Sequence, residues 1–255
     1  MKLSTNFVKD YVDIDVDVHQ LAEDMTRIGN EYDSAGKLIN ATKLVIGKII
    51  ECKDHPDSDH LHLCKVDIGT EILDIVCGAP NARKGIKVIV ALDGAELPEK
   101  TIKRGMIRGQ ESNGMMCSIA ELGLENKFLK PEDKEGIAEL GEDAVIGGDP
   151  IQYLGLDDGV IDFDLTANRG DLLSILGMAY EIGAIYDKPV KEVDLKHKEQ
   201  GEDLNKSFKT EVKTENCKLL LVKKVENVEI KESPTFIKNR VIASGIRPIN
   251  NVVGI

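Results

Sequence analysis

The stretch from His55 to Gly69, HPDSDHLHLCKVDIG, constrains the fold of this chain more than any other. Its Pro, Asp and Ser residues form a turn that sets the chain direction, and an apolar strand follows at once. Leu61 and Leu63 alternate in one phase, whereas Cys64, Val66 and Ile68 alternate in the other. Side chains on a strand change face at every residue, so the switch predicts a bulge near Leu63. A strand that bulges and curls suits a small closed barrel.

The neighbouring sequence agrees. From Leu44 to about Ile151 short apolar runs recur between Gly and Pro turns: LVIGKII, LHLCKVDI, ILDIVC, KVIVAL, GMMCSI and an IAEL strand. Several short strands with such punctuation predict an antiparallel barrel over residues 40–151. Ser118 and Glu121 have the spacing of a capping box, which predicts a short helix that stops at Gly123.

The flanks read differently. Ser4 is placed to cap a first helix, with Leu3 stapled to Val8. Asp17 and Gln20 cap a second, with Leu21, Met25 and Ile28 on one face and Gly29 at its end. Beyond the barrel, VIDFDL alternates as a strand. Asp171 then caps a helix with Leu172, Ile175, Leu176, Ala179 and Ile182 on one side, ended before Pro189. Two short opening helices cannot fold alone. Residues 1–39 and 152–190 are therefore expected to form one discontinuous α+β domain, with the barrel inserted between them. Residues 191–206 are charged and nearly free of apolar side chains, as a linker would be. Residues 207–255 then offer two strand-like runs, FKTEVKT and LLLVKKVENVEI, and a helix with Ser233 as cap and Pro234 at its first position.

The 255 residues carry a formal charge of -12, which argues against a non-specific polyanion binder and limits any nucleic-acid contact to a local patch. The acidity lies in the first 206 residues, because residues 207–255 contain no Asp and more Lys and Arg than Glu. Five cysteines, at positions 52, 64, 77, 117 and 217, fit free thiols in a reducing compartment better than disulfides. No apolar run reaches the roughly 18 residues a membrane span needs, and no signal segment opens the chain. A cytoplasmic location is expected.

The HPDSDH turn, CGAPN (Cys77 to Asn81), GAELP (Gly94 to Pro98) and IRGQESNGMMCSIAELGL (Ile107 to Leu124) occur in that order. Together they resemble the tRNA-binding barrel, of the oligonucleotide-binding class, that is attached to several aminoacyl-tRNA synthetases. The chain departs from that pattern at His60, where the family usually has Lys or Arg. MKLSTNFVKDYVDI at the start, DLTANRGDLLSILGMAYEIGA (Asp164 to Ala184) and SGIRPINNVV (Ser244 to Val253) extend the likeness. With them the whole chain is similar to the amino-terminal part of the bacterial phenylalanyl-tRNA synthetase beta chain. The resemblance implies that residues 207–255 begin an editing domain that is cut short. It also implies a complete enzyme of two alpha and two beta chains that uses ATP and magnesium, with catalysis on the alpha chain.

Cys52, His55, His60, His62 and Cys64 invite a zinc site, but their gaps form no paired CxxC or HxxxH unit, so a turn followed by a packed strand is the reading taken. No metal or cofactor is expected in this segment. Lys100, Lys103, Arg104 and Arg108 form the densest basic cluster of the barrel, and Arg83, Lys84 and Lys87 form a second. For any one of these residues a solvated loop charge suffices; as a set, with the resemblance, they are candidates for RNA backbone contact. Barrels that hold single strands stack bases on aromatic rings, yet Phe128 is the sole aromatic between Leu44 and Gln152. Recognition by shape, phosphate and 2′-hydroxyl is expected instead. Asn168, Arg169 and Asp171 read as structural. Arg247 and Asn250, by resemblance, lie near the pocket where the family hydrolyses mischarged tRNA. The chain has no P-loop, GxGxxG, GxSxG or HExxH, so no catalytic residue is named. The expected function is non-catalytic: tRNA contact that helps position the tRNA for aminoacylation elsewhere. A free-standing tRNA-binding protein and a protein-interaction scaffold are the alternatives, and no DNA or membrane partner is expected.

Overall fold

The computed structural model describes residues 1–194, 196, 198 and 200–254; Leu195, His197 and Glu199 of the expected linker, and Ile255 of the expected last segment, lie outside the described residues. The chain opens with β1 (Lys2–Ser4), α1 (Thr5–Val8), α2 (Val18–Arg27) and β2 (Tyr32–Lys37). Next come β3 (Leu44–Asp54), β4 (His62–Asp67), β5 (Ile72–Cys77) and β6 (Lys87–Ala91). The short strands β7 (Glu96–Leu97), β8 (Lys100–Thr101), β9 (Gly105–Ile107), β10 (Gln110–Ser112) and β11 (Met115–Cys117) follow. The rest comprises α3 (Glu132–Glu135), β12 (Glu139–Leu140), α4 (Pro150–Leu154), β13 (Gly159–Phe163), α5 (Ile175–Ile185) and α6 (Thr235–Ala243). The fold is a mixed, sheet-rich α+β arrangement.

The two flanks meet in one antiparallel sheet, in which β13 lies between β1 and β2. Its inner face and the adjoining helices bury Leu3, Val8, Leu21, Met25, Ile161, Phe163, Leu172, Met178 and Ile182 in a single cluster. Each such side chain contributes about 1.5–3 kcal/mol on burial. Ser4 caps α1, its Oγ accepting from Phe7 N at 2.9 Å, and Leu3 and Val8 are both fully buried beside it. The buried Asp158 carboxylate accepts from Thr5 Oγ1 and Asn6 N, which ties the first turn to the start of β13.

Asp17 caps α2 through His19 N and Gln20 N, and Gly29 ends it with φ +95. Two expectations need correcting here. Gln20 does not reciprocate the cap but donates to Asp24 Oδ1 at 3.0 Å, and Ile28 is 45% exposed, because it falls after the last helical turn. Further on, α5 is capped by Ser174, whose Oγ accepts from Gly177 N, rather than by Asp171. A 3-10 turn over Gly170–Leu173 intervenes and carries Leu172 into the core, while Leu176 is left exposed.

The second sheet has the order β11-β6-β3-β4-β5, with β12 also on β6. Its curl comes from β3, which pairs through Leu44–Lys48 with β6 and through Lys48–Asp54 with β4. The bulge lies in β3, where the register shifts between Ile49 and Glu51. The β4–β5 register is regular through Leu63, so the phase switch in β4 has another cause. Cys64, Val66 and Ile68 face the core, and Leu61 and Leu63 lie half-buried in the opposite phase. Gly47 marks the tightest approach: a Cβ there would stand 2.6 Å from Val66 Cγ1 and 2.8 Å from Val90 Cγ2.

Closure is incomplete. Among the described residues no ladder joins β5 to β11, so the expected closed barrel is an open, curled sheet. The edges are bridged instead by Asn113 N, which donates to Asp74 O at 2.8 Å, and by Val76 N, which donates to the buried Ser112 Oγ at 3.2 Å. Val88 and Val90 of β6 enter the core inside the curl, while Ile89 and Ala91 enter a second cluster with Leu122, Ile39 and Leu156. That second cluster seats the curled sheet against the flanking segments.

Residues 209–230 are exposed and carry no strand among the described residues, contrary to the pattern of FKTEVKT and LLLVKKVENVEI. Alternation alone does not make a strand, whose backbone groups need a neighbouring ladder. α6 begins one residue later than expected, with Pro234 in the capping position and Ser233 Oγ unpartnered. It docks on the two flanks of the curled sheet: Asn239 Nδ2 donates to Leu154 O at 2.7 Å, and Arg240 pairs with Asp10 while lying 5.3 Å over the Phe7 and Phe236 rings.

Candidate nucleic-acid interface

The four motifs that run through the curled sheet interlock. β9 and β10 form a hairpin whose two-residue turn, Arg108 and Gly109, has φ +48 and +80. Both positive values match the type I′ turn that the twist of paired strands favours. From this tip Arg108 Nη1 donates to Asp57 O at 3.2 Å, so the hairpin rests on the HPDSDH turn. That turn is built around the buried His55, whose Nδ1 accepts from Asp57 N at 3.0 Å and whose N donates to Leu61 O at 2.9 Å.

The other two motifs anchor loops. Asn81 of CGAPN behaves as a substitute strand: its Oδ1 accepts from Ile137 N at 3.0 Å and its Nδ2 donates to Ile137 O at 2.9 Å. Pro98 of GAELP stands against Gly123, where a Cβ would lie 2.6 Å from Pro98 Cγ. Gly123 ends the 3-10 turn Ala120–Leu122 with φ +96, and the reciprocal Ser118–Glu121 box starts it, with Ser118 N donating to Glu121 Oε2 at 2.9 Å.

The seven basic candidates separate by their partners. Arg83 is held by both carboxylate oxygens of Glu139, at 2.7 and 2.6 Å, which pushes its pKa further up. Lys100 donates to Glu121 Oε1 at 2.8 Å. Lys87 is turned toward Glu142, donating to its backbone oxygen. Burial works to raise the Glu121 pKa, but the Lys100 and Ser118 hydrogen bonds outweigh it and hold the carboxyl below the usual range. Four exposed cations remain. Lys84 and Lys103 have no carboxylate partner among the described residues, Arg104 is 4.0 Å from Asp93, and Arg108 holds a backbone carbonyl. Lys103, Arg104 and Arg108 lie within six consecutive residues on and before the hairpin. Met106 and Ile107 are exposed beside them.

Phe128, the sole aromatic of this region, is buried with Lys127 over its ring, so it offers no stacking face. His60 is exposed and bonded to Asp59, whose carboxyl it holds below its ordinary pKa. Among the described residues no three His, Cys, Asp or Glu side chains gather as metal ligands. Asn168, Arg169 and Asp171 precede α5; Arg169 pairs with Asp171 and Glu181, which raises its own pKa and lowers that of Asp171. Arg247 is exposed after α6, and Asn250 Oδ1 accepts from Val252 N and Val253 N. No hydrogen bond or ion pair links either to the seven basic residues among those described.

Sequence reasoning missed the hairpin, since Arg-Gly is not a usual turn pair, and missed Ser112, whose buried hydroxyl bridges the open edges. It also gave no pairing for the basic residues. Glu139 and Glu121 are far from Arg83 and Lys100 in sequence.

A family model described as "Putative tRNA binding domain" matches residues 44–148. The matched stretch begins at the first residue of β3 and ends after β12. Over its whole length the chain is 42% identical to the phenylalanine-tRNA ligase beta subunit of Streptococcus pneumoniae. It is 45% identical, again over its whole length, to the subunit of that name in Streptococcus mutans. In each case the chain spans 32% of the relative's length. Among solved structures, a MetRS related protein from Pyrococcus horikoshii aligns with 41% of this chain and 84% of its own, at 20% identity and a TM-score of 0.30. No helix among the described residues is long and apolar enough to cross a membrane.

Proposed function

We propose that this chain is the non-catalytic amino-terminal segment of a phenylalanine-tRNA ligase beta subunit and contacts tRNA to position it for aminoacylation by the complete enzyme. The observation that carries the reading is the set of exposed cations on residues 44–148 that hydrogen-bond no carboxylate among the described residues: Lys84, Lys103 and Arg108, with Arg104 loosely held. A chain of net charge -12 binds a polyanion where its cations are not already neutralised. Arg83, Lys87 and Lys100 are instead engaged by Glu139, Glu142 and Glu121. With Phe128 buried, contact rests on phosphates, 2′-hydroxyls and RNA shape rather than on stacking.

In this reading the curled sheet of residues 40–151 acts as an oligonucleotide-binding barrel, inserted in an α+β domain of residues 1–39 and 152–190. Residues 191–206 link it to the beginning of an editing domain, where Arg247 and Asn250 border the pocket. The complete enzyme pairs this subunit with an alpha chain, two of each, in the cytoplasm; ATP and magnesium serve the reaction there. The whole-length similarity to named beta subunits supports this assignment.

Ultraviolet crosslinking of tRNA to the chain, with the attached peptides mapped by mass spectrometry, tests the reading. Crosslinks are expected within residues 83–87 and 100–112 and on the 55–60 turn. Crosslinks confined to residues outside 44–148, or none at low salt, would overturn it and favour a scaffold for protein partners.

A further inference from the structure

Cys52 on β3 and Cys64 on β4 are direct partners across the ladder. Hydrogen-bonded and non-hydrogen-bonded pairs alternate along antiparallel strands. His55 N donates to Leu61 O, which makes that pair a bonded one, and the register is regular from Asp54 back to Glu51. Counting back three pairs puts Cys52 and Cys64 at a non-bonded site, where the two backbones come closest and side chains lie nearer each other. Their sulfurs are 3.6 Å apart, with the Cys64 S–H donating to Cys52 Sγ. A disulfide needs about 2.05 Å between sulfurs and Cα atoms within about 4.4–6.8 Å. At a non-bonded pair the Cα atoms stand about 4.5 Å apart, inside the disulfide range, so side-chain rotation is the main movement required.

The two thiols differ in access. Cys64 is 2% exposed, and burial pushes its pKa up, whereas Cys52 is only half-buried, with its S–H donating to Ala82 O at 3.6 Å. Cys77 and Cys117 are also buried, and burial raises both pKa values, that of Cys117 to about 12. Cys217 is exposed, far along the chain and outside the curled sheet.

We propose that Cys52 and Cys64 are a dithiol modification site, oxidised to a disulfide by a small disulfide such as oxidised glutathione. Cys52 loses its proton to solvent and attacks one glutathione sulfur; a Cys52–glutathione bond forms and one glutathione thiolate leaves. Cys64 then gives up its proton and attacks Cys52 Sγ, forming the Cys52–Cys64 bond and expelling the second glutathione. Two protein thiols are oxidised, one glutathione disulfide is reduced to two thiols, and the released protons pass to the leaving thiolates. The low thiolate population of Cys64 is offset by its fixed position beside the sulfur it attacks. The product encloses residues 53–63, so the whole HPDSDH turn, with the Asp57 carbonyl that receives Arg108, becomes a covalent loop. This site does not depend on the tRNA reading.

The test incubates the full chain in buffers of varied reduced and oxidised glutathione, traps remaining thiols by alkylation, and maps peptides by mass spectrometry. Two of the five thiols are expected to disappear together, reversibly on adding dithiothreitol, with the Cys52 and Cys64 peptides linked. Cys64→Ser is expected to stop at a stable Cys52–glutathione adduct. Because Cys64 is buried, Cys52→Ser is the companion variant, and it should leave Cys64, Cys77 and Cys117 reduced. Retention of all five thiols in the native chain under oxidising buffer overturns the proposal. So does linkage through Cys77, or intermolecular linkage through Cys217 alone.

Discussion

Replacing Lys103, Arg104 and Arg108 together by Gln removes three charges that the fold leaves available. Lys103 has no carboxylate partner among the described residues, Arg104 is 4.0 Å from Asp93, and the Arg108 guanidinium donates to the Asp57 carbonyl while its charge helps lower the Asp59 pKa from a distance. Each cation that meets a phosphate releases condensed counterions, and the slope of log affinity against log salt changes by about 0.7–0.9 per contact. The triple variant should therefore flatten the slope for tRNA by about 2–3 and weaken binding on the order of tenfold or more at low salt. The matched control is the double variant Arg83→Gln with Glu139→Gln, which deletes a charge that its partner already neutralises at 2.6 Å. Its slope should stay within about 0.5 of the parent, since a solvent-exposed pair contributes little and presents no net charge. Fluorescence anisotropy of labelled tRNA over a potassium chloride series measures both, and circular dichroism verifies that each variant is folded. An unchanged slope in the triple variant, or an equal loss in the neutral double, refutes the division into free and committed cations.

Three further outcomes follow from the packing. Gly47→Ala forces a Cβ to within 2.6 Å of Val66 Cγ1, and should cost about 1–3 kcal/mol in urea denaturation; an unaltered midpoint would mean that the strands there give way freely. Asn81→Ala strips both bonds from the buried Ile137 backbone and should destabilise by about 2 kcal/mol or more, with faster amide exchange at residues 136–140 than elsewhere; uniform exchange would contradict its role as a substitute strand. The Glu121 carboxyl titrates below its ordinary 4.5, because Lys100 and Ser118 hold it ionised against burial. Its contribution to stability is therefore complete above that value and is lost as pH falls through the lower folded value. Glu121→Gln should flatten the stability profile below about pH 5, and an unchanged acid limb would show that the carboxylate contributes nothing there.

The strand runs of the curled sheet were legible because each carries its own alternation and ends at Gly, Pro or Asp. The Ser4 and Asp17 caps and the Ser118–Glu121 box were legible for the same local reason: the residues concerned are neighbours in sequence. Long-range features were not. The bulge was sought in β4, where the pattern changes phase, but it falls in β3, whose pattern gives no sign that one strand pairs with two neighbours at different points. Asp171 and Ser174 are both sound caps, and the choice was settled by a 3-10 turn that carries Leu172 into the core. LLLVKKVENVEI has the composition of a strand, but it is exposed and pairs with no strand among the described residues. At the candidate interface the basic residues were visible one by one, while their sorting by Glu139, Glu121 and Asp93 came only from the fold.

The most direct measurement of the central claim is a titration of the chain with folded tRNA beside an unstructured RNA of equal length, each at two salt concentrations. A surface without an exposed aromatic ring, acting through fixed cations, predicts tighter binding to folded tRNA and a steep loss of that binding as salt rises. Equal affinity for the unstructured RNA, or no tRNA binding at the lower salt, would contradict the assignment of a shape-reading tRNA contact to this segment.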